Sequence, residues 1–215
     1  MIDYSLYLVT DSHLSLGRTT AEVVASAVKG GVSCVQLREK NLTKHEFLDN
    51  AQILKELLAP LGIPLIINDY PDIALAVNAE GVHLGQNDMP VREARDLLGK
   101  NKLIGISAEC LEDAIRAEQQ GADYIGVSPV FATTSKADTG MPLGLAGIRR
   151  IRRHVRLPLV AIGGITSMNT GRVIAAGADG IAVISAIVSA ASPEESARML
   201  TELIAEARRV HHDCN

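Results

Sequence analysis

The chain has no tryptophan, and aromatic residues make up only 3% of its 215 positions. It also lacks a basic field, with 21 Lys and Arg against 25 Asp and Glu and a net charge of -4. Nucleic-acid binders depend on cations and stacking rings, so that class of partner is excluded. Cysteine is scarce as well. Cys34, Cys110 and Cys214 lie far apart with no C-x-x-C pair, which argues against a disulfide framework or a zinc ribbon and fits the reducing cytoplasm. No apolar run approaches the length of a membrane span, and Met1-Ile2-Asp3-Tyr4 has no basic stretch of the kind that opens a secretion signal. No membrane partner is expected. Linkers and low-complexity tracts are absent too, so residues 1–215 read as a single domain. The tail His211-His212-Asp213-Cys214 has metal-binding residue types but reads as a frayed chain end.

What is present is apolar and periodic. Apolar residues account for 47% of the chain and charged residues for 21%, enough for one packed core. Short β-branched runs alternate with longer amphipathic ones, the pattern of βα units in a parallel sheet. Eight strands are predicted, at Ser5 to Val9, Cys34 to Leu37, Leu65 to Ile67, Val82 to Leu84, Leu103 to Ile106, Tyr124 to Val127, Leu159 to Ile162 and Ile181 to Ile184. The clearest helices are Thr19 to Lys29, Lys44 to Leu58, Val91 to Leu98, Leu111 to Gln120, Asn169 to Ala176 and Pro193 to Arg209. Glycine precedes every second strand, at Gly31, Gly81, Gly121 and Gly177, as a helix C-cap would. Two copies read Gly-Ala-Asp-Tyr-Ile-Gly-Val and Gly-Ala-Asp-Gly-Ile-Ala-Val. Glycine is common punctuation before strands, but four copies at alternate strands point to a repeated (βα)2 unit and a closed (β/α)8 TIM barrel.

Barrels of this kind carry their sites at the C-terminal strand ends, and polar residues gather there. In the second strand, alternation puts Gln36 and Arg38 on one face opposite Val35 and Leu37, with Lys40 continuing the line. Such a convergence suits an anion; ordinary salt bridges made by Arg38 and Glu39 at the rim account for this segment equally well. Asn68-Asp69 and Asp88 end the next two strands. Two carboxylates on neighbouring strands fit Mg2+, which often joins one or two carboxylates to substrate phosphates, although Asp69 alone could cap the helix starting near Pro71. Pro129 to Lys136 forms a hydroxyl-rich loop ending in a cation, which is either a lid or a solvated turn. Gly163-Gly164 and Ile184-Ser185 match a backbone phosphate site, with the ligand approaching the glycines closely; a tight turn needing positive φ would explain one glycine. His83 is expected to point into the barrel as a hydrogen-bonded core histidine, or as one that supports site residues, rather than as a catalytic base. Two anion subsites follow, a cationic one at strands two to four and a backbone one at strands seven and eight. Two phosphorylated substrates could meet between them.

In combination and order, Leu6-Tyr7-Leu8-Val9-Thr10-Asp11, Val35-Gln36-Leu37-Arg38-Glu39-Lys40, Ile67-Asn68-Asp69, Gly81-Val82-His83-Leu84-Gly85-Gln86-Asn87-Asp88, Gly126-Val127-Ser128-Pro129-Val130-Phe131, Thr133-Thr134-Ser135-Lys136 and Ala161-Ile162-Gly163-Gly164-Ile165 resemble the thiamine-phosphate synthase family. The resemblance covers nearly the whole chain. It implies condensation of a hydroxymethylpyrimidine pyrophosphate with a thiazole phosphate, in which pyrophosphate leaves before the thiazole nitrogen attacks. Carried over by position, it implies that Gln36 contacts the pyrimidine and that Arg38, Lys40, Asn68 and Lys136 hold pyrophosphate. Asp69 and Asp88 would bind Mg2+. Thr133, Ser135, Gly164, Ile184 and Ser185 would hold the thiazole phosphate, and Ser107 would line the space between the substrates. Arg38, Lys40, Lys136 and Ser107 form the implied catalytic set.

Two positions depart from the family pattern: Ser128 stands where Gly is expected, and Glu109 stands where many relatives carry His. Ser128 would narrow the pocket slightly, and Glu109 leaves the pyrimidine surroundings open. A thiazole tautomerase of the same family would keep the thiazole phosphate site but need no pyrophosphate clamp, so the full charged set argues against it. A sugar-phosphate isomerase or epimerase should show a general base at a strand end, and none is evident. A catalytically idle barrel that senses thiamine precursors is the reading from another class; such barrels usually lose charged clusters, and none of the matched charges is missing. The sequence leaves room for a homo-oligomer.

Overall fold

Thr19 and Thr43 each stand three residues before a glutamate, and both form reciprocal capping boxes, with Glu22 and Glu46. They open α1 (Thr20–Lys29) and α2 (Lys44–Leu58). A computed structural model of the chain describes residues 2–133 and 140–213. Its strands are β1 (Leu6–Val9), β2 (Cys34–Leu37), β3 (Leu65–Asn68), β4 (Gly81–Leu84), β5 (Leu103–Ala108), β6 (Tyr124–Val127), β7 (Leu159–Ile162) and β8 (Gly180–Val183). All pair in parallel in sequence order, and β8 closes on β1. The further helices are α3 (Pro71–Ala76), α4 (Val91–Leu98), α5 (Leu111–Gln120), α6 (Gly144–Arg152), α7 (Thr170–Ala175), α8 (Ser185–Val188) and α9 (Pro193–Asp213). This is the expected (β/α)8 TIM barrel, with most element bounds met within a residue or two. No helix among the described residues is long and apolar enough to cross a membrane.

Alternation along each strand divides the core in two. Outward residues such as Leu6, Leu8, Val35, Leu37, Ile104 and Val127 pack against the helices in one large cluster. Inward residues, including Tyr7, Cys34, Ile66, Tyr124 and Val160, form a second cluster inside the barrel. The interior is narrow, so rings and missing side chains must face each other. A Cβ on Gly105 would lie 2.0 Å from the Tyr124 ring, and one on Gly126 would lie 2.9 Å from the ring of His83. His83 does point inward, as expected.

The repeat of two βα units has a physical basis at the N-terminal face of the barrel. Ser33, Glu80, Asp123 and Asp179 each stand just before an even strand. Each donates its backbone N–H to a carbonyl of the preceding odd strand, respectively that of Leu6, Leu65, Ile104 and Leu159. Each side chain accepts the N–H of that same residue in return, at 3.1, 2.9, 2.8 and 2.7 Å. The three acids also bind cations from neighbouring helices: Lys55 on Glu80, Arg95 on Asp123 and Arg152 on Asp179. The Asp of the Gly-Ala-Asp copies thus clasps adjacent strands away from the polar ends.

One expectation needs correcting. Gly81 does not close a helix, because α3 already ends at Val77 and Asn78, the latter at φ 52°. Gly81 is instead the first residue of β4, where a Cβ would meet the Leu103 carbonyl oxygen at 2.3 Å. Close strand approach, not helix capping, requires glycine there.

Asp123→Ala removes one clasp and leaves a partly buried N–H and Arg95 without their acceptor, so a loss of about 1 to 3 kcal/mol is expected. Urea denaturation checks this. A midpoint equal to that of the native chain would show that the clasp adds nothing to stability.

Candidate functional site

A cavity of about 440 Å³ opens at the C-terminal ends of the strands. Its lining brings together Gln36, Arg38, Lys40, Asn68, Asp69 and Asp88 from the β2 to β4 side. Thr133, Gly164, Ile184 and Ser185 line the side between β6 and β8, and Ser107 of β5 lies between the two groups. Ser135 and Lys136 fall outside the described residues. Every other residue expected in the site therefore shares one cavity.

On the cationic side, Arg38 follows β2 directly. Its backbone N–H donates to Thr10 Oγ1 at 3.0 Å, and its guanidinium stands 3.6 Å from Asp11. Arg38 thus makes a rim ion pair, with Asp11 as its partner. Glu39 is buried and turns the other way, accepting from the Ser12 N–H at 2.9 Å and the Thr20 hydroxyl at 3.2 Å. It ties the β1 loop and α1 to β2, which fixes the backbone from which Arg38 and Lys40 project.

Asp69 does not cap α3; the N-cap residue is Tyr70, with no side-chain capping bond. Asp69 adopts a left-handed φ of 64°, costly for a residue with a side chain and typical of functional positions. Its carboxyl is hydrogen-bonded to that of Asp88, and Lys40 Nζ stands 4.0 Å away. Burial, then the bond and like charge of Asp88, push Asp69 up to about 6. An oxygen of Asp88 also accepts from the Gly85 N–H at 2.6 Å, which orients that carboxylate. No group of three or more His, Cys, Asp or Glu side chains that could hold a metal occurs among the described residues. Two touching carboxylates are nonetheless a fit for a hard cation whose other ligands are water and phosphate oxygens.

At the opposite side the glycine pair is accounted for by backbone conformation and packing. Gly163 and Gly164 both have positive φ, at 103° and 62°. A Cβ on Gly163 would lie 2.9 Å from Pro129 Cα, and one on Gly164 would lie 2.5 Å from the Ala132 carbonyl oxygen. The close approach is made by the loop after β6, stitched on by Val130 N–H to Ile162 O at 2.9 Å and Phe131 N–H to Gly163 O at 3.0 Å. No ligand is needed to explain either glycine. The two loops together build the ledge beside Ser185 at the start of α8.

Sequence reading missed Tyr7 and Tyr124 and left His83 outside the site, yet all three line the cavity. A signal for Tyr124 existed: it stands where the second Gly-Ala-Asp copy has Gly180. The two departures, Ser128 and Glu109, line the cavity as well.

A closed parallel barrel with a polar cavity at its C-terminal strand ends defines a TIM-barrel enzyme. A family model described as "Thiamine monophosphate synthase" matches residues 6–187. The thiamine-phosphate synthase of Albidiferax ferrireducens is 57% identical over 93% of this chain and 91% of its own, and that of Chloroflexus aurantiacus is 50% identical over 95% and 94%. The solved structure of a thiamine phosphate pyrophosphorylase from Pyrococcus furiosus superposes with a TM-score of 0.88 at 37% identity, covering 96% of this chain and 98% of that one. The chain belongs to the thiamine-phosphate synthase family, and its activity is that of a transferase in thiamine biosynthesis.

The raised Asp69 value has a signed consequence. Its proton stabilises the fold fully below the ordinary carboxylate range and is lost as pH rises through about 6. Without divalent cations, Asp69→Asn should therefore gain stability relative to the native chain as pH rises through that value, and added magnesium should narrow the gap. Melting temperatures of both proteins across pH test this. A difference that stays flat with pH would clear the carboxylate pair of the effect.

Proposed function

We propose that the cavity joins 4-amino-2-methyl-5-hydroxymethylpyrimidine pyrophosphate to 4-methyl-5-hydroxyethylthiazole phosphate, forming thiamine phosphate and pyrophosphate. The supporting observation is that cations and paired carboxylates on β2 to β4 face a backbone ledge at β7 and β8 within one cavity. Arg38, Lys40, Asn68 and Lys136 grip the pyrophosphate. As its bond to the pyrimidine methylene breaks, they neutralise the charge that gathers on the departing oxygen. Asp11 keeps the Arg38 guanidinium turned to the cavity. Magnesium, held by Asp69 and Asp88, would supply further neutralisation of those oxygens when bound.

Gln36 and Ser107 orient the pyrimidine, whose amino group feeds electrons to the electron-poor methylene. Thr133, Ser135, Gly164, Ile184 and Ser185 hold the thiazole phosphate so that the ring nitrogen reaches the methylene once pyrophosphate has departed. The new carbon–nitrogen bond takes its electron pair from the thiazole, so no protein nucleophile is needed. The cytoplasm is the proposed place of action, in keeping with the unpaired thiols Cys34 and Cys110.

Purified protein mixed with magnesium and both substrates should produce thiamine phosphate, assayed together with released pyrophosphate. Lys136→Ala should lower kcat by about 100-fold or more, as loss of one charge-stabilising donor does. Ser185→Ala should mainly raise KM for the thiazole phosphate, by about 5- to 10-fold, for one lost hydrogen bond. Asp69→Ala should raise the magnesium concentration needed for half-maximal rate. Equal activity in the native chain and all three variants would refute these assignments.

A further inference from the structure

Five side chains at the cavity floor form one hydrogen-bonded chain. Gln36 Nε2 donates to the Tyr7 hydroxyl at 3.0 Å, and the Tyr7 and Tyr124 hydroxyls lie 3.0 Å apart. The Tyr124 hydroxyl is 3.0 Å from His83 Nδ1, and His83 Nε2 is 2.9 Å from Ser107 Oγ. The path runs through β2, β1, β6, β4 and β5, so its two ends stand on strands separated by two others. All five residues line the cavity. Tyr7 and Tyr124 are fully buried, and among the described residues no buried side-chain nitrogen or oxygen lacks a partner.

Such a chain has a direction. The amide nitrogen of Gln36 can only donate, so Tyr7 accepts from it; in one sense of the chain Tyr7 then gives its proton to Tyr124. Tyr124 then donates to His83 Nδ1, and a neutral His83 carries its proton on Nε2 and donates to Ser107 Oγ. That leaves the Gln36 carbonyl oxygen to accept from the cavity and the Ser107 hydroxyl proton to donate into it. Turning the Gln36 amide over reverses every bond in the chain and swaps both ends together. When each hydroxyl and the imidazole passes one proton along the line and takes one from it, one end accepts while the other donates.

We propose that Tyr7, Tyr124 and His83 are positioning residues that couple the polarity of Gln36 to that of Ser107, and so select a 4-aminopyrimidine over a 4-oxopyrimidine. This rests on the pyrimidine placement given under Proposed function. In a 4-aminopyrimidine the amino donor lies directly across the ring from N1, an acceptor. The two ends of the chain match that pair. A 4-oxopyrimidine with its proton on N3 presents acceptors at both of those positions, and neither direction of the chain satisfies both. Uncoupled ends could each turn to suit either ring; coupled ends cannot.

The test is calorimetric titration of two non-condensing ligands, the 4-amino and 4-oxo forms of 2-methylpyrimidin-5-ylmethyl phosphate. The native chain should bind the amino form about tenfold or more tightly, since the oxo form leaves a polar group unmatched. Tyr124→Phe keeps the ring but cuts the chain, and should bring the two affinities within about threefold of each other. KM for the thiazole phosphate should stay unchanged. Tyr4→Phe, in a ring that stacks on Tyr124 at 4.7 Å but takes no part in the chain, should keep the native preference. Should Tyr124→Phe fail to fold, His83→Leu cuts the chain at its next link and is read in the same way. A native chain that binds both forms alike would overturn the proposal, and so would a cut chain that weakens both by one factor. A native chain that prefers the amino form yet makes no thiamine phosphate would sink the proposed reaction and leave the coupling standing.

Discussion

The narrowness of the barrel interior governs the rest of the molecule. Eight short strands close on themselves, and their inward positions cannot all carry side chains of full size. Tyr7, Tyr124 and His83 take the space, and Gly105 and Gly126 give it up. The rings seal the barrel just below its mouth, so the cavity has a floor instead of a pore. Their polar atoms must find partners inside, because an unpaired polar group there would be costly. The hydrogen-bonded chain across the floor therefore comes from packing first, and its two ends become part of the site.

The two faces of the barrel divide the labour. At the N-terminal face, reciprocal clasps join each odd strand to the residue before the following even strand, and three of the four are acids that bind helix cations. At the C-terminal face, charges are left only partly compensated. Burial and the neighbouring Asp88 push Asp69 up, Asp69 holds a left-handed backbone, and Lys40 and Arg38 line the same space. A rigid lower face permits such an upper face, since the clasps hold the strand register that brings these groups together.

Much of this could be read along the chain. Alternation in the second strand placed Gln36 and Arg38 on the inward face, and the cavity contains both. The strand-end carboxylates Asp69 and Asp88 were found the same way. The glycine before β4 was misread as a cap, because glycine serves both helix ends and close strand contacts and sequence does not separate the two. For the Gly163-Gly164 pair the fold adds a cause that sequence does not show, the close packing of the loop after β6. A rim ion pair for Arg38 is legible in the sequence, but its partner, Asp11, is chosen by the fold.

By itself, the sequence determined the eight βα units, the faces of their strands and the polar residues at their ends. These depend on periods of two and 3.6 residues and on capping chemistry, which act between near neighbours in the chain. Only the tertiary structure decided which of those residues touch. The contact of Asp69 with Asp88, the pairing of Arg38 with Asp11 and the line from Gln36 through Tyr7, Tyr124 and His83 to Ser107 depend on register between strands far apart in sequence. Register is set by closure of the whole barrel, a constraint that no local pattern carries.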